Sequence, residues 1–102
     1  MGKEEDKVKD FVARVKEKFV PAKVIIFGSR ANGTAWKRSD YDFIIISERF
    51  EGMHWLDRIS AVIALWDVYK DIDVLPYTPS EFEFKIKNSS IVRSAMKNKK
   101  VL

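Results

Sequence analysis

The chain has 102 residues, 46% of them hydrophobic and 13% aromatic, which is enough apolar material for one core and excludes a disordered tail. Cysteine is absent and His54 is the single histidine; disulfides, thiolate zinc centres, cysteine nucleophiles and histidine-rich metal sites are therefore excluded, and any bound metal must be held mainly by oxygen, as magnesium, manganese and calcium are. Nineteen basic residues against fifteen acidic ones leave a net charge of +4, a mild bias that suits a phosphate-bearing partner without requiring one.

The chain opens on Met1-Gly2-Lys3-Glu4-Glu5-Asp6, charged with both signs and unlike a signal peptide. No apolar run nears the roughly 20 residues of a membrane span, so a cytoplasmic protein without membrane contact is expected. Lysine and glutamate are plentiful and glutamine is missing, a composition that leans toward thermophiles. Val8, Phe11, Val12, Val15 and Phe19 fall at helical spacing and predict a helix over about residues 3–19, stopped by Pro21. Lys23-Val24-Ile25-Ile26-Phe27 reads as a buried strand that ends in Gly28-Ser29. Tyr41 to Ser47 reads as a second strand. Trp55, Leu56, Ile59, Val62, Ile63 and Trp66 predict a helix over about 53–68 with both tryptophans on its core face. Asp71 to Tyr77 reads as a third strand, with Pro76 marking a sheet edge or strand end.

Thr78-Pro79-Ser80-Glu81 is a strong helix start: Thr78 can cap, Pro79 suits the first helical position, and Glu81 can reach back to close a capping box. Phe82 and Ile86 should face the core. Asn88-Ser89-Ser90 breaks that helix, and Ser90 can cap a last one carrying Ile91, Val92, Ala95 and Met96. There is no internal repeat and no linker. The order predicts a single α/β (α+β) domain over 1–102, with helices flanking a small mixed sheet of three to four strands.

The residues able to do chemistry lie within 24–75. Asp40 and Asp42 are two apart at the mouth of an apolar strand, so their carboxylates share a face about 6–7 Å apart. Two carboxylates so placed repel one another and lose solvation, and a divalent cation would relieve both costs. Asp71 and Asp73 likewise share a face of the third strand, which can add a third carboxylate if it neighbours the second. An all-oxygen set of this kind, completed by water and substrate phosphates, is what magnesium takes. Asp-x-Asp alone is common at solvated strand ends, and Gly28-Ser29 alone reads as a strand-to-helix turn. Together they suggest more. Gly28 permits a tight turn or a close backbone approach. Ser29 and Arg30 offer a hydroxyl, a backbone N–H and a guanidinium at a helix start, where phosphate oxygens bind. The Gly-Lys-Ser/Thr ending of a Walker loop is absent.

The stretch Phe27-Gly28-Ser29-Arg30-Ala31-Asn32-Gly33-Thr34, followed by Ser39-Asp40-Tyr41-Asp42-Phe43, closely resembles the signature of minimal nucleotidyltransferases of the DNA polymerase beta superfamily. Asp73 in Ile72-Asp73-Val74-Leu75 matches that family's third acid better than Asp71 does. The likeness covers about residues 20–102, and Asn32 departs from it where many members carry arginine. It implies a polymerase beta-like fold and transfer of a nucleoside monophosphate, AMP from ATP, to an acceptor hydroxyl. By the same resemblance Asp40, Asp42 and Asp73 are the catalytic residues and hold two magnesium ions, while Gly28, Ser29 and Arg30 bind the nucleotide. Stand-alone members are often paired with an all-helical HEPN protein, so the likeness further implies an antitoxin that adenylylates a tyrosine of such a toxin. A non-catalytic module that binds nucleotide, or neutralises a partner by contact, is the alternative.

The chain is too short for the second domain that shapes the acceptor pocket in larger members, so the missing walls would come from a second copy or another protein. The acceptor, the base preference, a homodimer and a nucleic-acid partner are left open by the sequence. His54 reads as a surface or capping residue, Trp36 as a core residue or a stacking ring, and Lys97, Lys99 and Lys100 as a solvated or fraying end.

Overall fold

Helix α1 spans Lys3–Lys18, with Glu4, Glu5 and Asp6 in its first turn and Lys16 and Lys18 in its last, each favoured there by the helix dipole. Its apolar stripe buries Phe11, Val12 and Val15. The computed structural model describes residues 3–28 and 40–102. Strand β1 is Ala22–Phe27, β2 is Tyr41–Ser47, β3 is Ile72–Tyr77 and β4 is Lys100–Val101. They form one mixed sheet in the order β3-β2-β1-β4. β1 runs antiparallel to β2 and to β4, whereas β3 lies parallel to β2 with Asp42 opposite Asp73.

The central strand β2 explains its own composition. Phe43 and Ile45 point into a core shared with Phe11, Val15, Phe19, Val24, Ile26, Phe50 and Val62. Ile44 points the other way, into a second core with Ile25, Tyr77 and Val92, backed by Phe82 and Ile86. Strand side chains alternate between faces, and a strand covered on both sides has no polar register to show. Pro76 sits on β3, the edge strand, as expected, although its ring is fully buried.

The helix after β2 departs from its prediction. Helix α2 covers Trp55–Ile63, capped by His54, whose Nδ1 accepts the Leu56 N–H. It ends early because the Leu65 and Trp66 N–H groups bond back three residues, to Val62 and Ile63, and tighten the chain out of the helix. Trp66 still reaches the first core, packing edge-on against Phe11, Tyr41 and Phe43. Trp55 does not: it is 36% exposed and packs against the Tyr77 ring. The buried side of α2 is rotated toward Arg58 and Val62. Arg58 pairs with both carboxylate oxygens of Glu81 and donates to the carbonyls of Met53 and Pro76.

Helix α3 spans Pro79–Asn88 and carries the predicted capping box. Helix α4 spans Ser90–Ala95 and is capped by Ser89, one residue before the expected Ser90. Lys97, Lys99 and Lys100 are exposed, as expected of a solvated face, while the chain there does not fray but pairs as strand β4. Lys100 and Val101 pair with Ile26 and Ile25, the Leu102 N–H bonds to the Val24 carbonyl, and Lys16 Nζ donates to the Leu102 carbonyl. Backbone pairing here costs the lysines no solvation, because their side chains stay exposed while the chain completes the sheet edge.

Candidate active site

Three chain segments meet at one end of the sheet. β1 leaves it through Gly28, β2 enters it through Asp40 and Asp42, and β3 enters it through Asp71 and Asp73. Gly28 has φ +76°, a conformation that only glycine adopts at little cost. A Cβ at this position would stand 2.9 Å from Asp42 Oδ2. The residue thus leaves the space that the Asp42 carboxylate fills.

Asp42 is half-buried and faces Phe27 on one side and Asp73 on the other. Its pKa is raised, first by burial, then by the charges of Asp73 and Asp40, and by a hydrogen bond with the Asp73 carboxyl. Each cause opposes a third negative charge in the same corner. Asp40 and Asp73 are exposed. Asp71 is exposed as well, just before β3, and its carbonyl accepts the Tyr41 N–H at 3.0 Å. Parallel pairing therefore brings Asp42 and Asp73 side by side, while Asp40 acts on Asp42 through its charge. Among the described residues, no three His, Cys, Asp or Glu side chains are gathered closely enough to cage a metal ion. Ser29, Arg30, Asn32 and Trp36, all singled out in the sequence, lie outside the described residues.

A glycine with positive φ thus stands against a carboxylate pair on neighbouring strands. Residues 8–102 match the nucleotidyltransferase domain family. The chain belongs to that family. Its fold is also that of a candidate nucleotidyltransferase from Sulfolobus solfataricus, with a TM-score of 0.65, 24% identity, and 96% of this chain and 78% of that one covered. A second likeness is to a chain in the crystal structure of a toxin-antitoxin with AMP-PNP, at TM-score 0.54 and 16% identity, covering 91% of this chain and 70% of that one. Both are likenesses of fold. None of the curated proteins matches in sequence.

The sequence reading singled out Asp71 but not Val68, Tyr69 and Lys70 before it, as part of a site. In this nucleotidyltransferase domain the segment Val68–Asp71 forms, with Asp40, a cleft of about 590 Å³ on the β3 side of the sheet end. One signal was legible: Tyr69 is an aromatic residue set among the charges of Asp67, Lys70 and Asp71. Among the described residues no helix is long and apolar enough to cross a membrane.

Proposed function

We propose that the chain transfers AMP from ATP to a hydroxyl of a partner protein, in the manner of an antitoxin that adenylylates a tyrosine of a HEPN-type toxin. The pairing of Asp42 with Asp73 beside Gly28 is the observation that carries this reading. Family membership supports the transfer chemistry, and the fold likeness to a chain from a toxin-antitoxin with AMP-PNP supports ATP and a protein partner.

The family implies magnesium, and the donor set fits it. Asp42 and Asp73 are crowded hard oxygen ligands, and burial first, then the charge of Asp73, raises the proton affinity of Asp42, so a cation would be held in place of that proton. Asp42 and Asp73, side by side on neighbouring strands, would hold it, and Asp40 would have to swing in from the exposed start of β2 to join them. When bound, it supplies charge that draws electrons from the α-phosphorus and eases ionisation of the acceptor hydroxyl. In the transfer itself the acceptor oxygen bonds to the α-phosphorus, the bridge to the β-phosphate breaks, and pyrophosphate leaves. The hydroxyl proton leaves to solvent, since a cation on the Asp42–Asp73 pair would already have taken the place of the Asp42 proton. Gly28, Ser29 and Arg30 would take the β- and γ-phosphates through backbone N–H, hydroxyl and guanidinium groups.

The test is an incubation with α-labelled ATP, magnesium and the protein encoded beside this chain. Label on a tyrosine of the partner is expected, and no label with the Asp42→Asn variant. Tight binding of the partner without label would favour a neutralising module and overturn the transferase reading.

A further inference from the structure

The strand order gives the carboxylate pair two distinct sides. β1 and Gly28 lie on one side of β2, and β3 with Asp73 lies on the other. In the proposed function the triphosphate takes the Gly28 side, which leaves the β3 side to the acceptor. There the cleft opens, lined by Asp40, Val68, Tyr69, Lys70 and Asp71. Tyr69 is fully exposed, at 101%, yet the backbone just after it is held firmly. The Lys70 carbonyl accepts the Trp66 indole N–H at 2.8 Å, and the Asp71 carbonyl accepts the Tyr41 N–H at 3.0 Å. Both anchors belong to the aromatic cluster of the first core. The ring is therefore presented to solvent from a rigid mount.

Among the described residues, the charges that line the cleft discriminate between acceptors. Lys70 Nζ lies 3.6 Å from Glu4 Oε1, so the cleft's lysine is drawn toward α1. Asp71 stands exposed on the same cleft as the ring and outside the proposed metal set. An open tyrosine face next to a carboxylate attracts a guanidinium or ammonium group, through the ring and the charge together. A nucleic-acid acceptor would bring its phosphates against that carboxylate.

We propose that this cleft seats the acceptor, and that Tyr69 with Asp71 selects a protein segment carrying an arginine or lysine beside the hydroxyl to be modified. The proposal rests on the nucleotidyl-transfer reading above. It is tested with labelled ATP, magnesium and two synthetic tyrosine peptides of equal length, one flanked by arginines and the other by glutamates. The arginine peptide should be labelled with about tenfold higher kcat/KM. Tyr69→Ala should raise the KM for that peptide about tenfold with kcat and ATP affinity held, and Tyr69→Phe should restore most of the loss because the ring remains. Equal labelling of both peptides, or a Tyr69→Ala variant equal to the wild type, overturns the proposal. ATP binding with no transfer to either peptide overturns it while leaving the nucleotide site standing. A wild type that binds no ATP in magnesium overturns the transfer reading as well.

Discussion

At Asp42 the fold raises a carboxylate's proton affinity through burial and two acidic neighbours, and the sign of the consequence follows from linkage. The folded state holds the proton more tightly than the unfolded state does. The stability this contributes is fully present below the ordinary value of 3.8 and is lost as pH rises through the raised value. Without metal, the wild type should therefore weaken upward from about pH 4, and Asp42→Asn should not. Melting curves of both proteins in EDTA across that range check this: the Tm of the variant minus that of the wild type should grow with pH, and a constant difference would refute the crowding. Gly28→Ala acts on the same atoms from the other side. The positive φ costs about 1 kcal/mol, and the new Cβ must push the Asp42 carboxylate away. The variant should melt lower and lose transfer activity at least about tenfold, since ångström displacements of reacting groups cost that much or more. Adding Asp42→Ala should recover part of the lost stability, a coupling that a double-mutant cycle measures.

Between elements, the Arg58–Glu81 pair joins α2 to the start of α3. The Arg58 side chain is 8% exposed and that of Glu81 43%, so water screens one partner. Glu81→Gln keeps the cap's shape but leaves the buried guanidinium without its counter-charge. A loss of about 1–2 kcal/mol is expected, below the 3–5 kcal/mol of a fully buried pair. The pKa of Glu81 is lowered, first by its hydrogen bond with Arg58. That stability is present above the ordinary value of 4.5 and fades as pH falls through the lowered one. Chemical denaturation of the wild type should show this acid limb, and Glu81→Gln should flatten it. The Asp42 and Glu81 limbs have opposite signs, so the two variants should tilt the pH profile in opposite directions. The α2 prediction erred for the same reason that this pair exists. Hydrophobic spacing gave Trp55 to the core, whereas the buried side turned to Arg58, whose charge becomes tolerable only because Glu81 and two carbonyls sit within reach.

For the whole molecule, ligand binding and stability should be one measurement. If ATP needs the carboxylate corner to be neutralised, calorimetry should find binding in magnesium and none in EDTA. At a hundredfold excess over Kd, magnesium and ATP together should stabilise the fold by about 2.7 kcal/mol, seen as a Tm increase of roughly 10 °C or more for a chain of this length. Asp42→Asn should show little of that increase. Equal affinity in magnesium and EDTA would remove the metal from the site.

The local facts were legible in the residues. Apolar, β-branched runs bounded by turn residues placed β1, β2 and β3 to within a residue, because burial on both faces leaves no other use for such runs. The capping box of α3 was equally plain, since its bonds close within four residues. The glycine and the paired acids of the candidate site were singled out by type and spacing, and the family resemblance chose Asp73 over Asp71. What spacing cannot contain is which strands become neighbours. Asp42 meets Asp73 only because β3 returns parallel to β2 in one register, and a shift by one residue would turn the carboxylate to the other face of the sheet. The burial of Arg58, the pairing of Lys100–Val101 along β1 and the mounting of Tyr69 beside Asp40 were settled in the same way. Each depends on groups far apart in the chain, whose contact free energy exists only once the sheet has brought them together.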